Sequence, residues 1–490
     1  LHHSRYAYAL LLVHILLLMK VRVGSRCSRL VKLAVTGLVS ISGAGSLFAS
    51  PAFAQRVIPQ ATAPARVQER QEQDRQVRPE NYDVRLHPAS EVSHWRNILW
   101  TTAIVEPRQS YVADAFSQLI ALAAQPGLSD AQQRTVQMAM QVGTQLYKAD
   151  PTTYAAIGQQ FAQTIERSPD AEWVAMSLAA MVDVNTTPAQ RQQWSDFVRQ
   201  RFPNWASNVY LYSTLQAIAT MDQPSAAPPL ADLLSWTIAP GQPQMYVLCR
   251  PNRNVLCQAV VKDRNGQFLQ QNGQLWSVPL LLRSLNGLSW VFTRGQTPQG
   301  IYRIEGTVPQ PDTEYFRAYG LFPLVNLFVP FESGAREFVP GQSGTLRGNL
   351  TTYQALLPPS WRNYFPMQET YWAGRAGRGA FRIHGSGEAP TFFSNSKQFP
   401  ASQDWIPTIG CLSALELYDD AGQLQQADMP KILDALTSAA GRRNFTGYLI
   451  VVDVPGSSDT PISLADIEGI LAQSAANATA ASAHPNALTY

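Results

Sequence analysis

A chain of 490 residues with 45% hydrophobic and 15% charged residues has ordinary globular composition and is too long for one compact core, so two or more domains are expected. The formal charge of +3 is misleading, because residues 1–54 hold six basic residues and no acid; the remainder carries a net charge of −3. That balance leaves no electrostatic footprint for nucleic acid.

Residues 1–54 read as an export signal. "MKVRVGSRCSRLVK" is a basic start, "LAVTGLVSISGAGSLFA" a weakly apolar core, and Ala52-Phe53-Ala54 a small-x-small cleavage site. The chain opens with Leu1 and a well-formed signal begins at Met19, so residues 1–18 read as an upstream gene-start artefact. The apolar run "ALLLVHILLLM" is about half the ~20 residues that a spanning helix needs. No stable membrane span is therefore expected after signal cleavage, and the periplasm or cell envelope is the expected location.

Residues 55–84 are polar and nearly devoid of large apolar groups, which predicts a disordered linker. From 85 to 221 the pattern is helical. Six segments, from "SYVADAFSQLIALAA" to "SNVYLYSTLQAIATM", place apolar residues three and four apart, with Ser129, Asp150 and Ser168 at N-cap positions. This predicts an all-α domain of helical hairpins, a scaffold or recognition module with an unknown ligand. Residues 222–243, containing "DQPSAAPPL", read as a Pro-rich linker.

After 244 the pattern becomes β. "QMYVLC", "VLCQAVVKD", "GQFLQQNGQLWSVPLLL", "LSWVFTRG" and "GIYRIEGTV" are short β-branched and aromatic runs between Gly, Asn and Pro turns. A mainly β domain is expected over 244–420. Residues 421–473 read as a helix-strand-helix addition, with Ser463 capping the last helix, and 474–490 as a disordered tail.

Disulfides persist outside the cytoplasm, which gives the four cysteines meaning. Cys27 leaves with the signal. Cys249 and Cys257 flank "PNRN" in a predicted hairpin and can face each other as a disulfide; the alternative is two separate thiols. If they pair, Cys411 is the odd one left, in "WIPTIGCLSALELY". A cysteine nucleophile needs a base, most often His. Of seven histidines only His384, in "AFRIHGSGEA", falls inside the β region with Cys411. Taken singly, Cys411 reads as a small buried hydrophobe and His384 as a structural residue; taken together they form a candidate nucleophile and base. The sequence past the signal shows no HExxH or paired CxxC zinc spacing, no GxSxG elbow and no Walker loop, so neither metal nor cofactor is expected.

These residues resemble the YkuD-type L,D-transpeptidases of bacterial cell walls. "IHGSG" (383–387) is similar to the family's strand-borne His-Gly, "TIGCL" (408–412) to its Ser/Thr-His-Gly-Cys, and "TPQGIYRIEG" (297–306) to its Thr-Pro-x-Gly turn and strand. The resemblance covers roughly 245–420 and implies an L,D-transpeptidase-like catalytic fold. It implies Cys411 as nucleophile, His384 as base, Gly410 and its neighbours as oxyanion donors, Thr408 as loop support, and a carbonyl near Gly385 or Ser386 holding the far ring nitrogen. Arg382 is a candidate for a substrate carboxylate. The implied partners are peptidoglycan stem peptides, cross-linked 3→3 through a Cys411 thioester in cell-wall biogenesis and cell shape; water as acceptor would make an L,D-carboxypeptidase. Ile409 stands where the family places a histidine, Ser413 where Asn or Arg is common, and the His384–Cys411 loop is longer than usual. Ile409 and the helical half favour a rival from another class, a peptidoglycan-binding or scaffolding protein with a lapsed site.

Overall fold

A computed structural model of the chain describes residues 57–182, 184, 186–310 and 315–472. The expected export signal and the tail from 474 lie outside the described residues. The six amphipathic segments fold as helices, joined by two more upstream: α1 (Ala63–Gln76), α2 (Val92–Val105), α3 (Ser110–Ala121), α4 (Asp130–Ala149), α5 (Ala155–Arg167), α6 (Ala171–Val182), α7 (Pro188–Arg201) and α8 (Val209–Asp222). Ser129 opens α4 with a capping box, its hydroxyl accepting from the Gln132 N–H while the Gln132 side chain reaches back. The other two expected caps differ. Asp150 closes a turn onto Thr153, and α6 is capped by Asp170, which accepts from the N–H groups of Glu172 and Trp173.

Of the expected disordered linker at 55–84, the described residues from 57 on are ordered, chiefly as α1. This helix has little apolar surface to bury, and polar anchors hold it instead. The Thr101 hydroxyl donates to Gln73 at 2.6 Å, and the Arg70 guanidinium donates to the Phe392 carbonyl and the Ser394 hydroxyl, both at 2.8 Å. Just upstream, Ile58 and Ala61 are buried against Phe316 and Tyr418. Composition alone underrates such a segment, because its anchors lie outside it, 28 residues on at Thr101 and more than three hundred on at Phe392 and Ser394.

The helices are followed by a sheet closed into an eight-stranded barrel. Its strands are β1 (Gln244–Cys249), β2 (Cys257–Lys262), β5 (Ser277–Leu281), β6 (Gly300–Val308), β7 (Leu324–Phe328), β8 (Phe381–His384), β9 (Leu412–Ala414) and β12 (Thr446–Asp453). Around the barrel the order is β1-β12-β6-β7-β8-β9-β5-β2. Two small hairpins stand apart, β3 (Gln270–Gln271) with β4 (Gln274–Leu275), and β10 (Glu416–Tyr418) with β11 (Leu424–Ala427). Cys249 and Cys257 are joined by a disulfide across the β1–β2 pair, with Cα atoms 4.2 Å apart.

Side chains alternate between two apolar layers, as the period of two requires. Val247, Ala259, Leu280, Ile304, Ile383, Leu412 and Val451 face one cluster, closed by the helix Met429–Ala440. Tyr246, Leu248, Val260, Ile301 and Ile450 face a second.

Three expected boundaries dissolve in this arrangement. The Pro-rich stretch at 222–243 carries a short helix, α9 (Leu230–Ser235), whose Leu233 and Leu234 are buried on the outer face of β1 and β2. Residues 421–473 are no addition, because β12 lies between β1 and β6 and completes the barrel. Its hydrophobic "YLIVV" is a fully buried strand, which periodicity cannot assign to a particular sheet. The expected strand "LSWVFTRG" is a series of turns: Leu288, Trp290, Val291 and Phe292 join the helical core, with the Phe292 ring stacked on Tyr210 of α8 at 5.9 Å. The helices and the loops of the β half therefore share one apolar cluster, and the described residues form one compact unit.

Candidate active site

Cys411 and His384 come together through one pairing. β8 runs parallel to β9, with Ile383 opposite Leu412 and His384 opposite Ser413. Alternation sends Ile383 and Leu412 into the barrel core. His384, Arg382, Ser413 and Cys411 consequently share the opposite face. His384 is buried and Cys411 half-buried. The glycine-rich "GRAGRGA" ahead of β8 adds the corner residue Ala380, at φ 60°. The half-buried Glu332 carboxyl holds that corner by accepting from the Ala380 N–H at 2.7 Å.

His384 Nδ1 lies 2.6 Å from the Gly385 carbonyl. A carbonyl only accepts, so Nδ1 carries the proton and Nε2 keeps its lone pair. Burial pushes the imidazole down to about 4, with the Gly385 bond working against that shift and the Arg382 charge adding to it. The Cys411 thiol is pushed above the ordinary cysteine value by burial, partly offset by the Arg382 N–H and by the charges of Arg382 and Arg378. It points at the Ala380 carbonyl, 3.8 Å away. The resting pair is therefore neutral thiol and neutral imidazole.

The turn before Cys411 is held from two sides. Thr408 Oγ1 donates to the Cys411 carbonyl at 2.7 Å and accepts from the Gly410 N–H at 3.2 Å. That commits the Gly410 N–H, an expected oxyanion donor, to the loop itself. Thr297, the first residue of the Thr-Pro-Gln-Gly turn, donates its hydroxyl to the Gly410 carbonyl at 3.0 Å. Gly410 sits at φ 125°, and a Cβ there would lie 2.5 Å from Arg378 Nη2. Only glycine fits both the backbone and the space. The Arg378 guanidinium is spent on the carbonyls of Trp290, Gly295 and Gln296. Ile409 is 44% exposed at the rim, its side chain in solvent.

Arg382 is half-buried and donates from Nη1 to the Phe381 carbonyl, on the face it shares with Cys411. Tyr319 was not legible as a site residue. It sits at the end of helix α10 (Phe316–Tyr319) with its ring edge-on to His384 at 5.1 Å, and burial holds its hydroxyl above the usual tyrosine value. Its only sequence signal is an aromatic in a loop nearly a hundred residues upstream.

The long 385–407 loop, between His384 and Cys411, is gripped by the helices. Phe392, Phe393 and Ile406 enter the helical core, the Ser394 N–H donates to the Ile104 carbonyl, and Asn395 Nδ2 donates to Glu106 at 2.7 Å. Burial holds the Glu106 carboxyl above its usual range. Among the described residues no group of three or more His, Cys, Asp or Glu converges, and no helix is long and apolar enough to cross a membrane. No protein-family model, curated protein or solved structure matches the chain.

Proposed function

We propose that the protein is an exported cysteine acyltransferase of L,D-transpeptidase type, acting on peptidoglycan tetrapeptide stems. The observation that carries this reading is the shared face of Cys411 and His384 on adjacent parallel strands, with Nδ1 fixed by the Gly385 carbonyl and Nε2 left as the base. In this reading Nε2 takes the thiol proton as Sγ attacks the carbonyl of the third stem residue. The imidazolium then protonates the leaving D-alanine amine, and the thioester is taken by the side-chain amine of a neighbouring stem. Water as acceptor gives the carboxypeptidase outcome. Arg382, beside Cys411, would meet the carboxylate of the donor stem.

A second reading, a peptidoglycan-binding protein with a lapsed site, is favoured by the resting electrostatics: thiol raised, imidazole lowered, and the Gly410 N–H engaged by Thr408. The deciding experiment incubates the purified protein with disaccharide-tetrapeptide and follows D-alanine release and the intact mass. The first reading expects an adduct on Cys411, absent in Cys411→Ala, and slowed roughly a hundredfold in His384→Ala. Binding of the muropeptide with no adduct and no D-alanine sinks it in favour of the second.

A further inference from the structure

Glu416 is a buried carboxyl that the chemistry above leaves unused. It opens β10, two residues past β9, and is 4% exposed. Its Oε1 accepts from the Leu321 N–H at 2.8 Å and from the Tyr418 hydroxyl. Its Oε2 is buried with no hydrogen-bond partner among the described residues. Two glycines make room for it. A Cβ on Gly385 would lie 1.9 Å from Oε2, and one on Gly320 would lie 2.2 Å from the same atom. Gly385 supplies the carbonyl that holds His384 Nδ1, and Gly320 follows Tyr319, the ring edge-on to His384. One carboxyl thus touches both backbone segments that set the imidazole.

We propose that Glu416 is a positioning residue for His384, a wedge between Gly320 and Gly385 that fixes the peptide bonded to Nδ1 and the turn that carries Tyr319. The inference rests on the proposed Cys411–His384 site. It accounts for the glycine after His384 in physical terms: a side chain at 385 and the Glu416 carboxyl cannot occupy the same space. The groups facing the carboxyl are the Tyr418 hydroxyl on its own strand, Gly320 and Leu321 after α10, and Gly385 with His384 beyond it. From α1, Arg66 reaches the Tyr418 carbonyl at 3.5 Å. Burial raises Glu416 to about 7, so it changes charge near neutrality while His384 stays neutral.

The test combines ¹⁵N NMR of histidine-labelled full-length protein, the His384 signal assigned with His384→Gln, and the rate of Cys411 alkylation by iodoacetamide. Glu416→Gln keeps the wedge and the Oε1 acceptor, so the Nδ1–H tautomer persists while the inflection of the His384 shifts near pH 7 disappears. Glu416→Ala frees the Gly385 peptide, giving mixed-tautomer shifts and alkylation slower by roughly tenfold or more. Should the alanine variant fail to fold, Glu416→Asp, one methylene short of both glycines, is expected to show the same mixed tautomer. Wild-type tautomer and wild-type alkylation in the shortened variants overturn the proposal. None of these measurements uses a peptidoglycan substrate. Absence of D-alanine release therefore counts against the proposed reaction alone, and an unmoved His384 counts against the wedge alone.

Discussion

The Thr297 hydroxyl donates to the Gly410 carbonyl at 3.0 Å, joining two short motifs 113 residues apart directly beside Cys411. The bond is buried, and the turn behind it is held in turn. The Gln299 N–H donates to the Glu369 carboxyl at 2.7 Å, the Gln299 side-chain oxygen accepts from the Asp453 N–H, and Gly300 packs where a Cβ would strike Thr370 and Tyr353. The Thr-Pro-Gln-Gly turn is a bracket between β12, the 369–375 helix and the loop that carries Cys411.

Removing the end of that bracket isolates its contribution. Thr297→Val keeps the volume and leaves the Gly410 carbonyl without its donor, which costs about 1–3 kcal/mol for a buried unsatisfied group. The expected outcome is a lowered denaturation midpoint with unchanged slope, together with slower alkylation of Cys411. A variant as stable and as reactive as wild type would show that the bond has no part in holding the loop.

Two buried groups shift stability with pH in opposite senses. His384 is lowered from 6.5 to about 4, so the folded state binds fewer protons there than the unfolded state between those values. Its contribution, of order 3 kcal/mol, is present above pH 6.5 and lost as pH falls toward 4. Glu369 is raised from 4.5 to about 8 by burial, and its contribution is present at low pH and lost as pH rises through 8. Other raised carboxyls, Glu416 among them, add to the alkaline loss, so each contribution is read as a difference from wild type in denaturant melts from pH 4 to 9. His384→Gln is expected to remove its share of the rise in stability between pH 4 and 6.5, and Glu369→Gln to lessen the fall between 4.5 and 8.

The redox state is directly readable. Cys249 and Cys257 are bridged and Cys411 is free, so protein from which the 1–54 segment has been removed titrates with one thiol, at Cys411. Reduction opens a bridge between cysteines eight positions apart, a loop whose closure is worth about 2–3 kcal/mol. A measurable drop in stability on adding reductant is expected, abolished in the Cys249→Ala/Cys257→Ala double variant. A Cys411 disulfide with either partner would end the nucleophile reading.

Cutting the chain at 235 tests whether the helices are a module. Leu288, Trp290, Phe292, Phe392 and Phe393 lose their apolar cover when α2–α8 are removed. Residues 235–490 alone are expected to aggregate, and mixing with the helical fragment to restore a cooperative melt. A well-folded, monomeric barrel fragment would show that the shared cluster is dispensable.

Ile409 offers a gain-of-function test. Its side chain is exposed at the rim, so Ile409→His fits without repacking and adds a donor beside Cys411. Faster adduct formation on muropeptide is expected. No adduct in either form supports the lapsed-site reading.

Apolar spacing three and four apart determined the six helices, because an amphipathic stripe has to be buried wherever it lies. The β-branched runs between turn residues likewise determined most strands, and the scarcity of histidine past residue 54 singled out His384. Tertiary structure alone decided the rest. The parallel β8–β9 pairing aligned His384 with Cys411, and nothing local specifies a partner strand. β12 became a central strand instead of an appendage, since a continuous apolar run does not reveal its neighbours. "LSWVFTRG" and the 385–407 loop went to the helical core because burial can be supplied by either half of the chain. Tyr319 and Glu416 took their places around His384 through contacts made at long range, and such contacts leave no period or motif in a sequence.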